Sequence, residues 1–334
     1  MTYYVGIDVS AESLAVMVNR AGKMGKLKHY PNTATGIQQL IRYLNPKKRD
    51  VKVALEATGN YHLDLAVALS RTPSVEVMVI NPQASYHFAK ARMQHDKTDA
   101  SDAEMLTAYV MSLPMVPWQA PSEEVLTLRS YARCLHDLTE SRVRLKNQRH
   151  AWESAKVNSQ EVIQVVERQL AFLEQEREAL ESRAIAHIEA HPSLAEHFQH
   201  FLTVKGIGHS SAIALLAEVL MLPETLTHRQ WVSHAGLSPR QRSSGTSVRH
   251  ATRIGKSGNR YLRKALYMPA LSAVRFIPEV KAYYTHLVEE NGLKKLQAIV
   301  AVMRKLLHAL HGMIQKRAPF DQTRFFKPIL PKKA

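Results

Sequence analysis

A single cysteine, Cys134, stands in a chain of 334 residues, so neither an internal disulfide nor a cysteine-built metal cluster can form. A reducing compartment is the expectation. Acids are scarce: 29 Asp and Glu face 45 Lys and Arg, leaving a formal net charge of +16 and a pI near 9.9. From Thr225 to Pro278 there is no acid at all. Such an excess calls for a polyanionic partner. Nucleic acid is preferred to an anionic membrane surface, because no segment carries the strongly amphipathic pattern of a membrane-surface helix. No apolar run approaches the ~20 residues of a membrane span. Residues Met1 to Gly6 lack the charged-then-apolar pattern of a signal peptide, and the expected location is the cytoplasm. A phosphate-binding Gly-x-x-x-x-Gly-Lys loop is also missing.

What is present suits an ordinary folded globular protein: 45% hydrophobic and 22% charged residues, at a length that suggests about two domains. Alternating apolar positions through Tyr3, Val5, Ile7 and Val9, then Leu14, Val16 and Val18, predict two strands joined as a hairpin across Ser10 to Glu12. A helix is expected over Gly36 to Leu44 and a buried strand over Val51 to Leu55, ending at Glu56. A helix over Tyr61 to Leu69, a strand over Glu76 to Ile80 closed by Asn81-Pro82, and a helix over Gln83 to Arg92 follow. The alternation argues an α/β domain over 1–120, whose last helix runs from Asp99 to Leu113, capped by Lys97-Thr98. Residues 121–192 read as long, charged helix. Apolar positions at steps of three and four (Leu138, Leu145, Trp152; Val166, Leu170, Leu173, Leu180, Ala184) suit either a helical hairpin broken around Val157 to Gln160 or an intermolecular coiled coil. Arg142, Arg149 and Arg177 interrupt that seam, and self-association is expected. A third, mostly helical domain spans 193–318, and an extended, proline-rich basic tail spans 319–334.

Four acids stand out. Asp99 and Asp102 are three apart at a helix start and project from one face. Asp8 lies among apolar strand neighbours and Glu56 closes a strand; a carboxylate buried in such a place is costly unless paired or metal-bound. Together they predict a divalent-metal site for Mg2+ or Mn2+, in which paired ions could activate an attacking oxygen and stabilise a leaving oxygen of a phosphodiester. Glu12 and Asp96 are nearby competitors, expected in solvent-facing loops. In the third domain, Lys205-Gly206-Ile207-Gly208 before an apolar helix has the look of a helix-hairpin-helix turn that approaches phosphate through backbone N–H groups. Between 240 and 264 the chain packs Arg240, Arg242, Arg249, Arg253, Lys256, Arg260, Arg263 and Lys264 without one acid, a nucleic-acid-binding stretch. A serine nucleophile attacking phosphorus would find arginines and a glycine beside it there, and Ser238, Ser243, Ser244 and Ser247 are all candidates. The histidine pairs His187/His191 and His197/His200 lack a third ligand and are expected at the surface.

These residues resemble the DEDD-type insertion-sequence transposases, a bridge-RNA-guided recombinase family related to the pilin-gene invertase. The resemblance runs through Gly6-Ile7-Asp8, Glu56-Ala57-Thr58-Gly59, Ile80-Asn81-Pro82, Lys97-Thr98-Asp99 with Asp102, and Gly206-Ile207-Gly208. It continues through Ala235-Gly236-Leu237-Ser238-Pro239, Ser244-Gly245, Lys256-Ser257-Gly258 and Leu262-Arg263-Lys264-Ala265-Leu266. It implies a RuvC-like, ribonuclease-H-like first domain with Asp8, Glu56, Asp99 and Asp102 as metal-binding acids, and Ser244 as the nucleophile. It further implies a bacterial protein associated with the nucleoid during reaction, target and donor DNA as substrates, a bridge RNA as guide, and a dimer of dimers. In that assembly the acid-bearing domain of one protomer meets the serine-bearing domain of another. The implied reaction is strand cleavage with a 5′-phosphoserine link, exchange through a Holliday junction, and religation. Two other readings remain: a metal-dependent nuclease or junction resolvase that works by hydrolysis, and an architectural DNA-binding protein.

Overall fold

Period-two alternation in the first twenty residues becomes an antiparallel pair, β1 (Tyr3–Val9) and β2 (Ser13–Arg20), with Ile7 opposite Val16. The structure is a computed structural model and describes residues 2–44, 49–57, 59–94, 96, 98–155, 160–244 and 248–326, by backbone alone over 241–244 and 248–252. It divides into two units, Met1–Ala120 and Pro121–Ala334.

In the first unit β3 (Lys23–Met24) and β4 (Lys28–Pro31) both pair with β2; neither short strand has a signature in the sequence. Then follow α1 (Ala34–Leu44), β5 (Val51–Glu56), α2 (Leu63–Ser70), β6 (Val75–Ile80), α3 (Pro82–Ala91) and α4 (Asp99–Ser112). The sheet order is β3-β2-β1-β5-β6, with β1, β5 and β6 parallel. Side chains alternate across it. Val5, Ile7, Val53 and Leu55 pack with Leu40 of α1 and Leu65 and Leu69 of α2. Ala54, Met78 and Ile80 face the other way, onto Met105, Leu106 and Val110 of α4. Gly6, Asp8 and Glu56 share the period of that second face. Gly6 is what lets α4 lie on β1: a Cβ there would stand 2.1 Å from Ala103 O and 2.4 Å from Thr107 N.

The second unit begins with α5 (Glu123–Glu153) and α6 (Gln160–Glu189), which run antiparallel. His187 meets the Glu124 carbonyl at one end (2.9 Å), and Arg142 pairs with Glu174 farther along. The seam arginines therefore have acids: Arg177 binds both Glu174 and Glu181 at 2.7 Å, and Arg149 binds Glu153 at 3.3 Å. Of the expected break at Val157 to Gln160, residues 157–159 lie outside the described residues and Gln160 opens α6. Next come α7 (Pro192–Leu202), α8 (His209–Val219), α9 (His228–His234), a hairpin of β7 (Pro239–Ser244) and β8 (Val248–Ile254), α10 (Arg260–Ala265), α11 (Tyr267–Phe276), α12 (Pro278–Thr285) and α13 (Lys295–Lys316). Leu306 and Leu310 of α13 share one core with Phe198 and Phe201 of α7. Residues 319–326 are not extended, as the sequence suggested, but fold back. Phe325 is buried, and the Lys305 ammonium lies 4.3 to 5.4 Å from the ring centroids of Tyr283, Phe325 and Phe326. Residues 327–334 lie outside the described part. Among the described residues no helix is long and apolar enough to cross a membrane.

Candidate functional site

The register Ile7↔Leu55 between parallel β1 and β5 leaves Asp8 and Glu56 at neighbouring C-terminal strand ends, on the α4 side of the sheet. Such ends are where open α/β sheets place their sites. The start of α4 is pinned by a capping box. The Thr98 hydroxyl accepts from Ser101 N at 3.1 Å, and Ser101 Oγ accepts from Thr98 N at 2.9 Å. Asp99 and Asp102 therefore occupy the first turn, where the helix dipole favours negative charge. Lys97 lies outside the described residues. With α4 held close at Gly6, all four acids line one cleft of about 700 Å³, together with Val9, Pro82, Ser85, Tyr86 and Asp96. Asp96 thus belongs to the cleft although it is exposed, while Glu12 lies elsewhere.

The electrostatics follow from the crowding. Burial pushes the Asp8 carboxyl above its ordinary range, and Asp102, Asp99 and Glu56 push it further in the same direction; the Val9 backbone N–H opposes them. Glu56 is held by a residue the sequence did not single out. Ser85, 1% exposed, donates from Oγ to Glu56 Oε2 at 2.7 Å. The signal was indirect: Asn81-Pro82 starts α3, so its first turn delivers Ser85 against the strand end. An all-carboxylate donor set suits hard cations such as Mg2+ or Mn2+. Among the described residues no three acids or histidines converge closely enough to hold one ion. The carboxylates instead line the walls of the cleft.

Ser244 ends β7 and is paired in backbone register with Val248; Ser243 pairs with Arg249 and Arg242 with His250. Ser247 and Gly245 lie outside the described residues. Ser244 is thus at the mouth of the hairpin loop, whereas Ser238 precedes the strand and is half-buried. Arg240 stands opposite Arg253, a like-charge pairing that an anion would relieve. The hairpin base is tied down by Gly255 N to Ser238 O (3.1 Å), Lys256 N to Gly236 O (3.1 Å) and Asn259 N to His234 O (2.7 Å).

Beneath this base lies a second feature missed in the sequence. Glu218 of α8 is only 3% exposed and takes a bidentate pair from Arg133 of α5, Nε to Oε1 at 2.8 Å and Nη2 to Oε2 at 3.0 Å. Asn259 Nδ2 donates to the same Oε2 at 2.5 Å, while its Oδ1 caps α10 through the N–H groups of Tyr261 and Leu262, each at 3.0 Å. No local pattern could reveal it, since the partners come from three separate helices.

Of the expected nucleic-acid contacts, Lys205, Arg253 and Lys256 are exposed. Four others have protein partners: Arg240 with Ser257, Arg260 with the Tyr261 hydroxyl (2.9 Å), Arg263 with the Ala235 carbonyl (2.9 Å), and Lys264 with Glu140. For Arg242 and Arg249 only backbone positions are described. The turn between α7 and α8 divides its glycines. Gly208 opens α8 with free space where a Cβ would be. At Gly206, φ +112°, a Cβ would stand 2.7 Å from Ser272 Cβ, so the missing side chain lets the turn pack against α11. The histidine pairs are half-buried rather than at the surface, His187 lying 4.5 Å from His191 ring to ring.

Comparison with known proteins is consistent along the chain. Residues 5–152 match the model of DEDD transposases of the IS110 type, and residues 198–285 match "Transposase IS116/IS110/IS902 family". The chain is 26% identical over 325 residues to a pilin gene-inverting protein of Moraxella bovis, covering 96% of this chain and 98% of that one. It is 29% identical to the pilin gene-inverting protein of Moraxella lacunata over the same shares. A probable family 20 transposase of Pseudomonas aeruginosa is 31% identical over 249 residues, 67% of this chain and 71% of its own.

Proposed function

This chain belongs to the IS110-type family of DEDD transposases, and from that premise we infer that it recombines the DNA of an insertion sequence through a covalent serine–phosphodiester intermediate, guided by a bridge RNA. The observation that carries the reading is the convergence of Asp8, Glu56, Asp99 and Asp102, from two strands and one helix, on a single cleft. A strand order β3-β2-β1-β5-β6 with only the hairpin side antiparallel supports a ribonuclease-H-like (RuvC-like) identity for this unit.

In this reading Asp8, Glu56, Asp99 and Asp102 are the residues that would hold divalent metal, Mg2+ or Mn2+, which when bound would supply charge neutralisation and Lewis acidity. Ser85 orients Glu56, and the α4 cap orients Asp99 and Asp102. Ser244 Oγ attacks the scissile phosphorus. A phosphorus–Oγ bond forms as the bond to the 3′ oxygen breaks, the serine proton passes to the departing 3′-hydroxyl, and the strand is left on a 5′-phosphoserine. A 3′-hydroxyl of the other strand then attacks the phosphoserine and returns the proton to Ser244, so two exchanges pass through a Holliday junction without ATP. The arginines of the β7–β8 hairpin offset the charge of the pentacovalent phosphorus. The helical pair α5–α6 supplies self-association into a dimer of dimers. Target and donor DNA and the bridge RNA are the polyanions that the net charge of +16 serves.

Ser244→Ala tests the chemistry. Loss of both DNA cleavage and the covalent protein–DNA adduct is expected; persistent nicking would make the protein a hydrolytic nuclease or resolvase instead. Asp99→Ala is expected to abolish processing, and intact processing would reduce the acids to a structural role. Sequencing the RNA that co-purifies with the protein tests the guide, and finding no discrete species would remove it.

A further inference from the structure

The acid cleft has an aromatic rim that the chemistry above leaves unused. Tyr86 follows Ser85 on α3, and the hydrogen bond from Ser85 to Glu56 fixes the rotation of that helix, so Tyr86 must fall at the cleft mouth. It lines the cleft with its side chain 54% exposed. One turn on, the Lys90 ammonium stands 4.7 Å from the Tyr86 ring centroid. Five carboxylates, Asp8, Glu56, Asp96, Asp99 and Asp102, line the cleft, and among its described lining residues there is no lysine or arginine. The described lining residues therefore offer a phosphodiester no cationic side chain, and a nucleic acid strand gains from a holding group beside the cleft.

We propose that Tyr86 is a stacking platform for an unpaired nucleobase of the DNA strand being cut, with Lys90 meeting the phosphate next to that base. A half-exposed ring offers a π face to any base, independent of sequence. A paired base has its faces covered by its neighbours, so the occupant is a base in a locally opened strand. Cation–π contact keeps Lys90 at the ring until a phosphate takes it. The inference rests on the proposed role of the acid cleft in DNA strand cleavage.

The test uses the full chain and a short single-stranded DNA carrying 5-iodouracil, with Ca2+ present and at raised salt, where arginine contacts to phosphate weaken and stacking does not. Irradiation is expected to cross-link the DNA to the peptide containing Tyr86. Tyr86→Ala is expected to lose that cross-link and weaken binding about tenfold, while Tyr86→Phe and Tyr86→Trp retain both. Thermal unfolding of each variant checks that it is folded. Unchanged binding by Tyr86→Ala, or a loss in Tyr86→Phe equal to that in Tyr86→Ala, would overturn stacking. Cross-linking of an RNA of the same sequence in preference to the DNA would overturn the assignment to the DNA strand. If Asp99→Ala still cuts DNA while Tyr86→Ala loses the cross-link, the reading of the acids fails and the platform stands. The reverse pattern removes the platform alone.

Discussion

Replacing Glu218 by Ala is the perturbation the second unit should feel most. The carboxylate is 3% exposed and receives hydrogen bonds from Arg133 at 2.8 and 3.0 Å and from Asn259 at 2.5 Å. Removing it leaves the Arg133 guanidinium, itself only 19% exposed, with the Tyr261 ring but no counter-charge, and leaves the Asn259 amide without that acceptor. A buried pair broken from one side costs about 3–5 kcal/mol. In a unit of this size, where each kcal/mol shifts the midpoint by about 2–4 °C, that is a fall of roughly 6–20 °C. Calorimetry and urea unfolding of the full chain read it. Glu218→Gln should lose less, since a carbonyl oxygen can still accept from one partner. The double variant Glu218→Leu with Arg133→Met should recover most of the loss, because no charge is then stranded. A cost below about 1 kcal/mol for Glu218→Ala, or a double variant as unstable as the single one, would refute the argument that an uncompensated buried charge sets the penalty.

Other consequences can be measured in the same way. Gly6→Ala places a methyl 2.1 Å from Ala103 O, a backbone atom that moves only if α4 moves; a loss of about 1–3 kcal/mol or more, with activity falling alongside, is expected in unfolding and recombination assays. Asp8 has its folded-state pKa raised, so the stability it contributes is complete below its unfolded pKa and is lost as pH rises through the folded one. Asp8→Asn should therefore raise the midpoint of metal-free protein at neutral pH while abolishing DNA processing; a lowered midpoint would count against crowding as the cause. His308 is pushed down to about 4, by burial first and then by His228, Arg304, His311 and Lys305. Its native form stays neutral while the unfolded chain takes up a proton, so stability should fall as pH drops from about 6.5 towards 4, and His308→Gln should flatten that slope in pH-dependent denaturation.

The local periods of the sequence determined much of the first unit. Alternation marked β1 and β2, and short apolar runs marked β5 and β6. Apolar neighbours placed Asp8 in a strand and Glu56 at a strand's end, and Thr98 marked the start of α4. These are near-neighbour effects, set by side-chain direction and by capping, and a linear pattern carries them. The β7–β8 hairpin was not legible, because Arg-Gln-Arg-Ser-Ser has neither apolar alternation nor strand formers; the sequence showed only the charge there. Nor was the close packing of Gly206 against α11, where a Cβ would stand 2.7 Å from Ser272 Cβ. The residues around 319–326 read as tail because the proline- and lysine-rich stretch 327–334 follows them, yet their three phenylalanines pack once α12 and α13 supply a surface.

The four acids were named from the sequence, but their meeting in one cleft was decided by tertiary structure: the register of β1 against β5, and the close approach of α4 that Gly6 permits. Ser85 on Glu56, the carboxylate of Glu218 between Arg133 and Asn259, and Tyr86 at the cleft mouth belong wholly to the fold. The physical reason is separation along the chain. Composition and short periods record what a residue does to its own segment, whereas a hydrogen bond between residues 29 or 85 apart exists only after the intervening chain has packed.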